Sequence, residues 1–272
     1  MLKVLGLMTC FNRKEKTVRA LNNLIKGNPG IEFSFIVVDD ASTDGTAEAL
    51  EQMNNMTLIS GNGGLFYSGG MRLAIAEAKK MLNSFDYCLL FNDDVDFEVS
   101  AIEKLCSKDS SCIWIGPTSD EKGGLSYGGV IKISCWRPKT KIIMADRPEG
   151  ALCDTFNANC VLIPWGIFEK LDNIDEVYTH SMGDFDYGFA AKRKGVVIRV
   201  SDTFVGVCPD NPVKSNGNWR NTELSRKRRL QLKESPKGLP FKEYFHYLNK
   251  NYNFFTAVVY SLIPYVRILI RR

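Results

Sequence analysis

The sequence predicts an α/β fold in which a mixed, mostly parallel central sheet is flanked by helices. Three observations support this prediction: strand-like and helix-like patterns alternate along the first third of the chain, two of the strands end in acidic pairs, and a glycine-rich segment precedes the third helix. An alternating order of strands and helices is typical of parallel sheets. Such sheets hold their ligands in a crevice outside the carboxyl ends of the strands.

The strands are predicted from short apolar runs and the helices from apolar residues spaced three or four apart. Ser42 and Thr43 are expected to cap the second helix, with Asp44 and Glu48 early in it. In the first half, the predicted strands are 4–9, 33–38, 56–60 and 87–91, and the predicted helices are 14–26, 42–53 and 68–82. The second half is more mixed, with predicted strands 113–116, 128–134 and 161–163 and predicted helices 166–171 and 186–194.

The most informative stretch follows the apolar strand 87–91 and reads Asn92-Asp93-Asp94. It places two carboxylates and a carboxamide at the edge of the sheet, where ligands are held. Carboxylate oxygens suit Mg²⁺ or Mn²⁺, and these ions usually serve phosphates. The alternative is an acidic turn, because Asn and Asp are common turn residues.

The second strand also ends in two carboxylates, Asp39 and Asp40. Capping and turn formation explain residues 42–44 better than they explain this pair, which is able to accept hydrogen bonds from a ribose hydroxyl or a base N–H. The glycines of segment 61–70 let the backbone approach a ligand closely. Arg72 lies in the first turn of the following helix, where a cation opposes the helix dipole, and this position makes sense if Arg72 contacts a diphosphate.

Four motifs together carry a resemblance to a known family. They are VVDDASTDGT (37–46), GNGGLFYSGG (61–70), LLFNDDV (89–95) and GDFDYGFAAKRKG (183–195). In this order and spacing they resemble the family 2 glycosyltransferases of GT-A fold, and especially the bacterial branch that includes rhamnosyltransferases of cell-surface polysaccharides. The resemblance covers roughly residues 1–210 and implies a GT-A type nucleotide-diphospho-sugar transferase fold.

The resemblance implies roles on both sides of the site. Asp94 becomes the metal ligand for Mg²⁺ or Mn²⁺, since Asn92-Asp93-Asp94 matches the metal motif with Asn in its first position. Asp184 matches the catalytic base of inverting members, and Gly183 stands where the family usually has the first residue of an acidic pair. The donor-binding candidates are Thr9, Asp39, Asp40, Arg72, Asn92 and Asp93.

The acceptor-binding candidates lie in the second half of the chain: Asn157, Asn159, His180 and Asp186. The two asparagines are alternatively turn residues, His180 alternatively caps a loop, and Asp184 is alternatively a helix N-cap. Many members place a histidine metal ligand after the base segment, but residues 205–210 contain none. Cys208 and Asp210 are the candidates for a third ligand there.

The composition is that of an ordinary globular protein. The chain has 272 residues, 44% hydrophobic and 24% charged, which is enough for one large core. Its eight cysteines form no CxxC pair, so a zinc site is not expected, and we predict a reducing cytosol. The N-terminus reads as a first strand and not as a signal peptide.

The charge is asymmetric along the chain. Residues 225–272 carry 11 Lys/Arg and 2 Asp/Glu, a net charge of +9, whereas the remainder carries 24 and 29, a net of −5. The apolar run 254–270 is interrupted by Pro264 and Arg267, which favours a segment lying in a membrane interface over one that spans. A helix packed on the body or in a homodimer is the alternative.

The resemblance implies that residues 1–220 form a glycosyltransferase domain, and the charge and apolar pattern predict 221–272 as a basic amphipathic helical extension. The expected protein is an inverting, metal-dependent enzyme that moves a sugar from a UDP- or dTDP-sugar to an oligosaccharide or lipid-linked acceptor, at the cytoplasmic face of an anionic membrane. A sugar-phosphate nucleotidyltransferase is the alternative, but residues 8–13 lack the glycines of its loop. A nucleic-acid binder is disfavoured by the acidic body.

Overall fold

The structure is a computed structural model that describes residues 1–81, 85–209 and 217–270. Its strands are β1 (Leu2–Cys10), β2 (Ile31–Asp39), β3 (Met56–Ser60), β4 (Tyr87–Phe91), β5 (Asp96–Phe97), β6 (Ile113–Ile115), β7 (Thr118–Ser119), β8 (Leu125–Tyr127), β9 (Gly129–Lys132), β10 (Thr140–Ile143), β11 (Ala151–Leu152), β12 (Thr155–Phe156), β13 (Cys160–Pro164), β14 (Ile198–Val200) and β15 (Gly206–Val207). Its helices are α1 (Lys14–Gly27), α2 (Thr46–Glu51), α3 (Phe66–Ala78), α4 (Ala101–Cys106), α5 (Trp165–Phe168), α6 (Gly183–Arg193), α7 (Arg226–Glu234), α8 (Phe241–Asn251) and α9 (Phe254–Ile270).

The central sheet has the strand order β11-β14-β6-β13-β4-β1-β2-β3. The strands β1 to β4 run parallel, and β13 runs antiparallel to both of its neighbours, β4 and β6. The chain order reverses between β1 and β4, which creates the crevice where open α/β sheets bind ligands. The predicted mixed, mostly parallel sheet is therefore confirmed, and β1 and β4 end beside this crevice.

Two layers of apolar side chains cover the two faces of the sheet. Alternate residues of β1 separate between them: Leu5 and Leu7 pack with residues of α3, α6 and α8, whereas Val4 and Met8 pack with residues of α1 and α4. This alternation follows from the period of two in a strand, and residues 4–8 of β1 are buried on both faces.

Two smaller sheets from the second half of the chain stand over the crevice. One has the order β10-β9-β12 and the other the order β5-β15-β7-β8. The first leads from β12 into residues 157–159, and the second leads from β15 into Cys208. Both sheets therefore deliver polar residues to the carboxyl ends of the central strands.

The C-terminal helices pack against the body of the protein. Lys250 Nζ of α8 donates to Asp186 Oδ2 at 2.7 Å, and Asn251 Nδ2 donates to Asp186 Oδ1 at 2.8 Å. In α9, Ala257 is fully buried in the same apolar layer as α3 and α6. No helix in the described part of the chain is long and apolar enough to cross a membrane.

Most predicted elements are present, with ends that shift by a few residues, but the predicted cap of the second helix is wrong. This helix begins at Thr46 behind Gly45, with no side-chain cap. Ser42 Oγ instead donates to Asp39, and the Thr43 N–H donates to Asn12 Oδ1 at 2.8 Å, so both residues join loops. The third helix ends at Ala78, and the last predicted residue, Leu82, lies outside the described residues.

Candidate active site

A cavity of about 790 Å³ opens at the carboxyl ends of β1 and β4. Among the residues predicted from the sequence, those lining it are Thr9, Asp40, Asn92, Asp93, Asp94, Asn157, Asn159, His180 and Asp184. Asp39, Arg72, Asp186 and Cys208 are not among its lining residues, and Asp210 lies outside the described residues. Candidates from both halves of the chain thus meet in one space.

Asp93 is held in an ion pair. Its Oδ1 accepts from Arg13 Nη1 at 2.7 Å, and its Oδ2 accepts from Thr17 Oγ1 at 3.0 Å. The carboxylate is buried, with 6% of the residue exposed, so a strong partner is required. Asp93 therefore fixes the start of α1 against the end of β4, and it leaves the next carboxylate to face the cavity.

Asp94 is the more accessible carboxylate, with 38% of its side chain exposed. Burial and the neighbouring charge of Asp93 raise its pKa, while Arg13 and a hydrogen bond from Cys208 oppose this rise. Cys208 Sγ lies 3.7 Å from Asp94 Oδ1 and accepts from Asn159 Nδ2 at 3.3 Å. The antiparallel pairing of β15 with β5, just after Asp94, brings the sulfur to this position.

This donor set fits a magnesium or manganese ion that is shared with a substrate. No group of three His, Cys, Asp or Glu side chains in the described ranges is placed to hold a metal by itself. Such ions, however, commonly bind through one or two carboxylates together with substrate phosphates and waters. Asp94 supplies one accessible carboxylate at the cavity wall, and Asp210, the other predicted candidate, lies outside the described residues.

Asp40 organises the glycine-rich loop. Its Oδ1 accepts from the Gly63 N–H at 2.8 Å, and its Oδ2 accepts from the N–H groups of Leu65 and Phe66, both at 3.0 Å. A Cβ added to Gly61 would lie 2.6 Å from Asp40 Oδ1, so glycine is required there for close packing. Asp40 thus shapes the cavity wall that the loop provides.

Asp184 lies in the first turn of α6 and faces the cavity. Its Oδ1 accepts from the Phe185 N–H at 2.8 Å, and its Oδ2 accepts from the Ala158 N–H at 3.2 Å. Burial raises its pKa to about 6, and these two backbone hydrogen bonds oppose the rise. A carboxylate with a pKa near neutrality suits a general base.

Gly183 lies where the family usually has an acidic residue, and packing explains the glycine. A Cβ added to Gly183 would lie 2.4 Å from Ser68 Oγ and 3.0 Å from Ser68 Cβ. Ser68 Oγ in turn donates to the His180 carbonyl at 2.9 Å. The close contact between α3 and α6 therefore excludes a side chain at position 183.

The acceptor-side asparagines are brought to the same wall. Asn157 Oδ1 is buried and has no hydrogen-bond partner among the described residues, although Asn157 lines the cavity. A buried acceptor without a partner is costly, unless a ligand or water donates to it. The side-chain amide of Asn159 donates to Cys208 Sγ, and its backbone carbonyl accepts from the Asn92 N–H at 3.3 Å.

His180 is neutral at physiological pH. Burial, with the nearby charges of Lys237 and Arg13, lowers its pKa to about 4. Its Nδ1 accepts from the Tyr67 N–H at 3.4 Å, so the neutral ring carries its proton on Nε2. The ring also stands edge-on to Phe66 and Tyr67. His180 is therefore positioned to donate one hydrogen bond and carries no charge.

Two predicted residues have structural partners outside the cavity. The Arg72 guanidinium donates to the carbonyls of Ile174, Asp175 and Tyr178 at 3.0, 2.8 and 2.7 Å, so it holds a loop. Because α3 begins at Phe66, Arg72 lies in its second turn and not in the predicted first turn, and these carbonyls account for the cation without any diphosphate. Asp186 is buried beneath α8 and bound to it, as described above.

Asp39, the remaining candidate outside the cavity, is also committed to loop structure. It is buried, and its Oδ1 accepts from the Ser42 N–H at 3.3 Å as well as from the Ser42 hydroxyl. This arrangement is the turn formation that the sequence left open as an alternative. Thr9, by contrast, lines the cavity while its hydroxyl donates to the Val38 carbonyl at 3.0 Å.

Several lining residues were not among the candidates. One of them is Tyr67, whose pKa is raised by burial and by the charges of Asp184 and Asp94. The others of note are cations or aromatics that come from distant parts of the chain: Arg13, Tyr127, Arg220, Lys237, Tyr244, Tyr247 and Tyr252. Only the position of Arg13 had a signal in the sequence, because a cation is expected to pair with the acidic motif 92–94. The positions of the other residues depend on tertiary packing.

Two of the six non-glycine residues that have positive φ in the described part of the chain lie at this cavity. Phe66 and Met182, which both line the cavity, have φ angles of 53° and 67°. Bulky residues rarely adopt positive φ, and such conformations cluster at functional sites. Phe66 begins α3, whose Tyr67 and Ser68 donate to His180, and Met182 directly precedes α6, which carries Asp184.

The fold is that of the GT-A glycosyltransferases. The chain is similar to the mannosyltransferase PcManGT from Pyrobaculum calidifontis, solved with GDP-Man and Mn²⁺, at 15% identity and a TM-score of 0.51, covering 98% of this chain and 73% of that chain. It is also similar to S. aureus TarS 1–349 in complex with UDP-GlcNAc, at 11% identity and a TM-score of 0.57, covering 98% and 90%. GalNAc-T7 with UDP, GalNAc and Mn²⁺ matches at 12% identity and a TM-score of 0.57, covering 97% and 57%.

Residues 7–111 match the family model described as Glycosyl transferase family 2. This stretch contains the end of β1, all of β2 to β4, the glycine-rich loop and Asn92-Asp93-Asp94. The predicted resemblance to family 2 glycosyltransferases is therefore confirmed. No curated protein matches the chain.

Proposed function

We propose that this protein is an inverting, metal-dependent glycosyltransferase that moves a sugar from a UDP- or dTDP-sugar to a lipid-linked saccharide acceptor. The reaction would belong to the biosynthesis of a cell-surface polysaccharide. One observation carries the proposal: Asp94 and Asp184, from opposite halves of the chain, line the same cavity. An accessible carboxylate for a cation and a carboxylate with raised pKa are the two groups that such a transfer needs. Of the similar structures named above, one was solved with UDP-GlcNAc and one with UDP, which supports a UDP-sugar as donor, and two were solved with Mn²⁺, which supports a divalent cation.

The donor would lie against the carboxyl ends of β1 and β4. Its diphosphate is dianionic, and three cationic residues line the cavity: Arg13, Arg220 and Lys237. Arg13 is already paired with Asp93, which leaves the other two as candidates for the diphosphate. A divalent cation at Asp94 would supply further charge neutralisation to the leaving group.

The acceptor would lie on the side of Asp184 and Asn157. Asp184 removes the proton of the acceptor hydroxyl as its oxygen attacks the anomeric carbon. The bond from that carbon to the diphosphate oxygen breaks on the opposite face, so the configuration inverts. Asn157 Oδ1 is available to accept from another acceptor hydroxyl, and the neutral His180 ring offers a donor from Nε2.

The test is a panel of UDP- and dTDP-sugars screened for thermal stabilisation with and without Mn²⁺, followed by a transfer assay with the stabilising donor. We expect release of nucleoside diphosphate and a product of inverted anomeric configuration. A product with retained configuration would contradict the proposed role of Asp184. Formation of a nucleotide sugar from a nucleoside triphosphate and a sugar phosphate would establish the nucleotidyltransferase alternative instead.

A further inference from the structure

The outward face of α9 is apolar along its whole length. Its exposed residues recur every three or four positions, which places them on one side of the helix. They are Phe255, Val258, Val259, Leu262, Val266, Leu269 and Ile270. The opposite side is buried against the body through Ala257, Ser261, Pro264 and Ile268. The helix has 17 residues and is about 26 Å long, so these side chains form one continuous apolar stripe. Single exposed apolar residues are common on soluble proteins, but a continuous stripe of this length indicates an interaction surface.

The tip of the hairpin between β9 and β10 continues this face. Trp136 at the tip is 70% exposed, and Ile133 beside it is 50% exposed. The Thr256 hydroxyl of α9 donates to the Trp136 carbonyl at 3.0 Å, and Lys132 Nζ donates to the Asn251 carbonyl at the corner between α8 and α9. We call the tip (133–139) and the outward residues of α9 together the α9–hairpin surface.

The charged residues in the segments that form this surface are all basic. Among the described residues, the one acidic side chain that hydrogen-bonds to α9 is Glu234, which accepts from the Tyr265 hydroxyl and is paired with Lys233. Residues 131–143 contain four basic residues and no acidic one, and residues 244–270 contain two basic residues and no acidic one. Arg137, Lys139 and Lys141 are exposed on the hairpin, and Arg267 is exposed near the end of α9. An apolar face with exposed aromatic residues and a basic border matches what binds in the interface of an anionic membrane.

We propose that the α9–hairpin surface docks on an anionic lipid bilayer, with Trp136 and Phe255 at the level of the headgroups. A second copy of the chain is the less favourable occupant. Pairing two such surfaces about a twofold axis places the same basic border on both partners, and like charges across an interface oppose association. A bilayer instead supplies both an apolar layer and negative charge.

The α9–hairpin surface lies beside the active-site cavity, and the role of docking in catalysis rests on the proposed function. Pro138 and Thr140 of the same hairpin line the active-site cavity, as do Tyr244 and Tyr247 of α8. Docking therefore brings the cavity rim to the membrane. A saccharide carried on a lipid anchor would reach Asp184 without leaving the bilayer surface.

Trp136 provides an internal probe of docking. The other three tryptophans, Trp114, Trp165 and Trp219, are buried, at 3%, 5% and 7% exposure. With full-length protein and vesicles of phosphatidylcholine containing phosphatidylglycerol, we expect co-sedimentation and a blue shift of Trp fluorescence. Brominated lipid chains should quench this emission. The Trp136→Phe protein should still bind but show neither the shift nor the quenching.

Point substitutions test the surface better than deletion of α9, because Ala257 is buried in the main core. Val259→Ser should weaken vesicle binding, and Lys139→Gln should weaken it about fivefold, the ratio for ~1 kcal/mol per basic residue near the surface. The matched controls are Val99→Ser and Lys104→Gln, which change exposed residues next to and in α4 on the other face of the sheet. The controls should bind vesicles as the unaltered protein does.

Three results would overturn the proposal: equal binding to neutral vesicles, equal effects of the surface and control substitutions, or concentration-dependent dimerisation without vesicle binding. The last would identify a second copy as the occupant. Thermal stabilisation by nucleotide sugars is measured without vesicles, so failure of the docking and failure of the proposed function are separate outcomes. Vesicle binding by a protein without transferase activity would leave the docking intact and remove the proposed function.

Discussion

The sulfur of Cys208 lies 3.7 Å from Oδ1 of Asp94, although 114 positions separate the two residues. The pairing of β15 with β5 brings them together, because β5 begins two residues after Asp94. A cation that binds Asp94 would therefore lie near a thiol as well as a carboxylate. Mg²⁺ and Mn²⁺ both suit oxygen ligands, so we expect the Asp94 carboxylate, to which the thiol donates, to hold either ion.

Asp94→Ala should abolish the additional thermal stabilisation that UDP or dTDP gains from Mn²⁺. The physical reason is that the variant lacks the accessible carboxylate at the cavity wall, while Asp93 stays paired with Arg13. The measurement is a thermal shift with nucleotide, with and without the metal. The control is Asp96→Ala, which removes an exposed carboxylate nearby that pairs with Arg19. Metal-dependent stabilisation that persists in Asp94→Ala would remove the assignment.

Asp184→Asn should reduce sugar transfer at least about a hundredfold, the low end of general-base contributions. The amide keeps the shape of the side chain but accepts no proton. The rate with unaltered protein should also fall as pH drops below about 6, because protonation of Asp184 removes the base. Donor affinity, measured by titration calorimetry, should change little. A folded variant with near-normal transfer would place the base elsewhere.

The same residue predicts a pH dependence of stability. An acid whose pKa is raised on folding stabilises the fold at pH values below its unfolded pKa of about 4, and this contribution is lost as pH rises through about 6. The Asp184→Asn protein does not lose this stability as pH rises, because the amide does not ionise. Its free energy of unfolding, relative to the unaltered protein, should therefore increase between pH 4.5 and 8 in urea titrations. A difference independent of pH would contradict the raised pKa.

Gly183→Ala should destabilise the fold by about 1–3 kcal/mol, the usual cost of overpacking. The added Cβ would lie 2.4 Å from Ser68 Oγ, where α3 and α6 meet. Gly166→Ala is a matched control, since no atom lies within 4 Å of a Cβ added there. Chemical denaturation of both proteins gives the comparison. Equal stability of the two variants would mean that α3 and α6 separate more easily than their contact implies.

Local patterns predicted the parts of the site that follow directly from strand ends. Asn92, Asp94 and Asp40 come immediately after apolar strands, so their place at the crevice follows from parallel-sheet geometry. Asp186 was less predictable, because its partners on α8 are 64 and 65 positions away. A carboxylate in the first turn of a helix looks the same in sequence whether it faces a ligand or a neighbouring helix.

The C-terminal part of the cavity could not be predicted for a similar reason. Tyr244 reaches the cavity because α8 packs on the body, and Lys237 lies in the loop before α8; nothing in their immediate sequence neighbours specifies these positions. The basic tail was recognised from its net charge, but charge alone does not separate residues that face the cavity from residues that face outward. The exposed stripe of α9, in contrast, is visible in the sequence as a three- and four-residue spacing.

Arg72→Met should lower stability while leaving nucleotide affinity unchanged. The guanidinium donates to three loop carbonyls, and hydrogen bonds that involve a charged group contribute about 1.5–3 kcal/mol each, so the loss should exceed 1 kcal/mol. Met keeps the apolar length of the side chain and removes only the donors. The dissociation constants of UDP and dTDP, measured at low temperature where the variant is folded, should match those of the unaltered protein. If Arg72 instead contacts the diphosphate, as its position in the sequence first suggested, the affinity will fall about tenfold or more while the stability changes little. The two measurements together therefore distinguish a residue that holds the 174–178 loop from one that holds the donor.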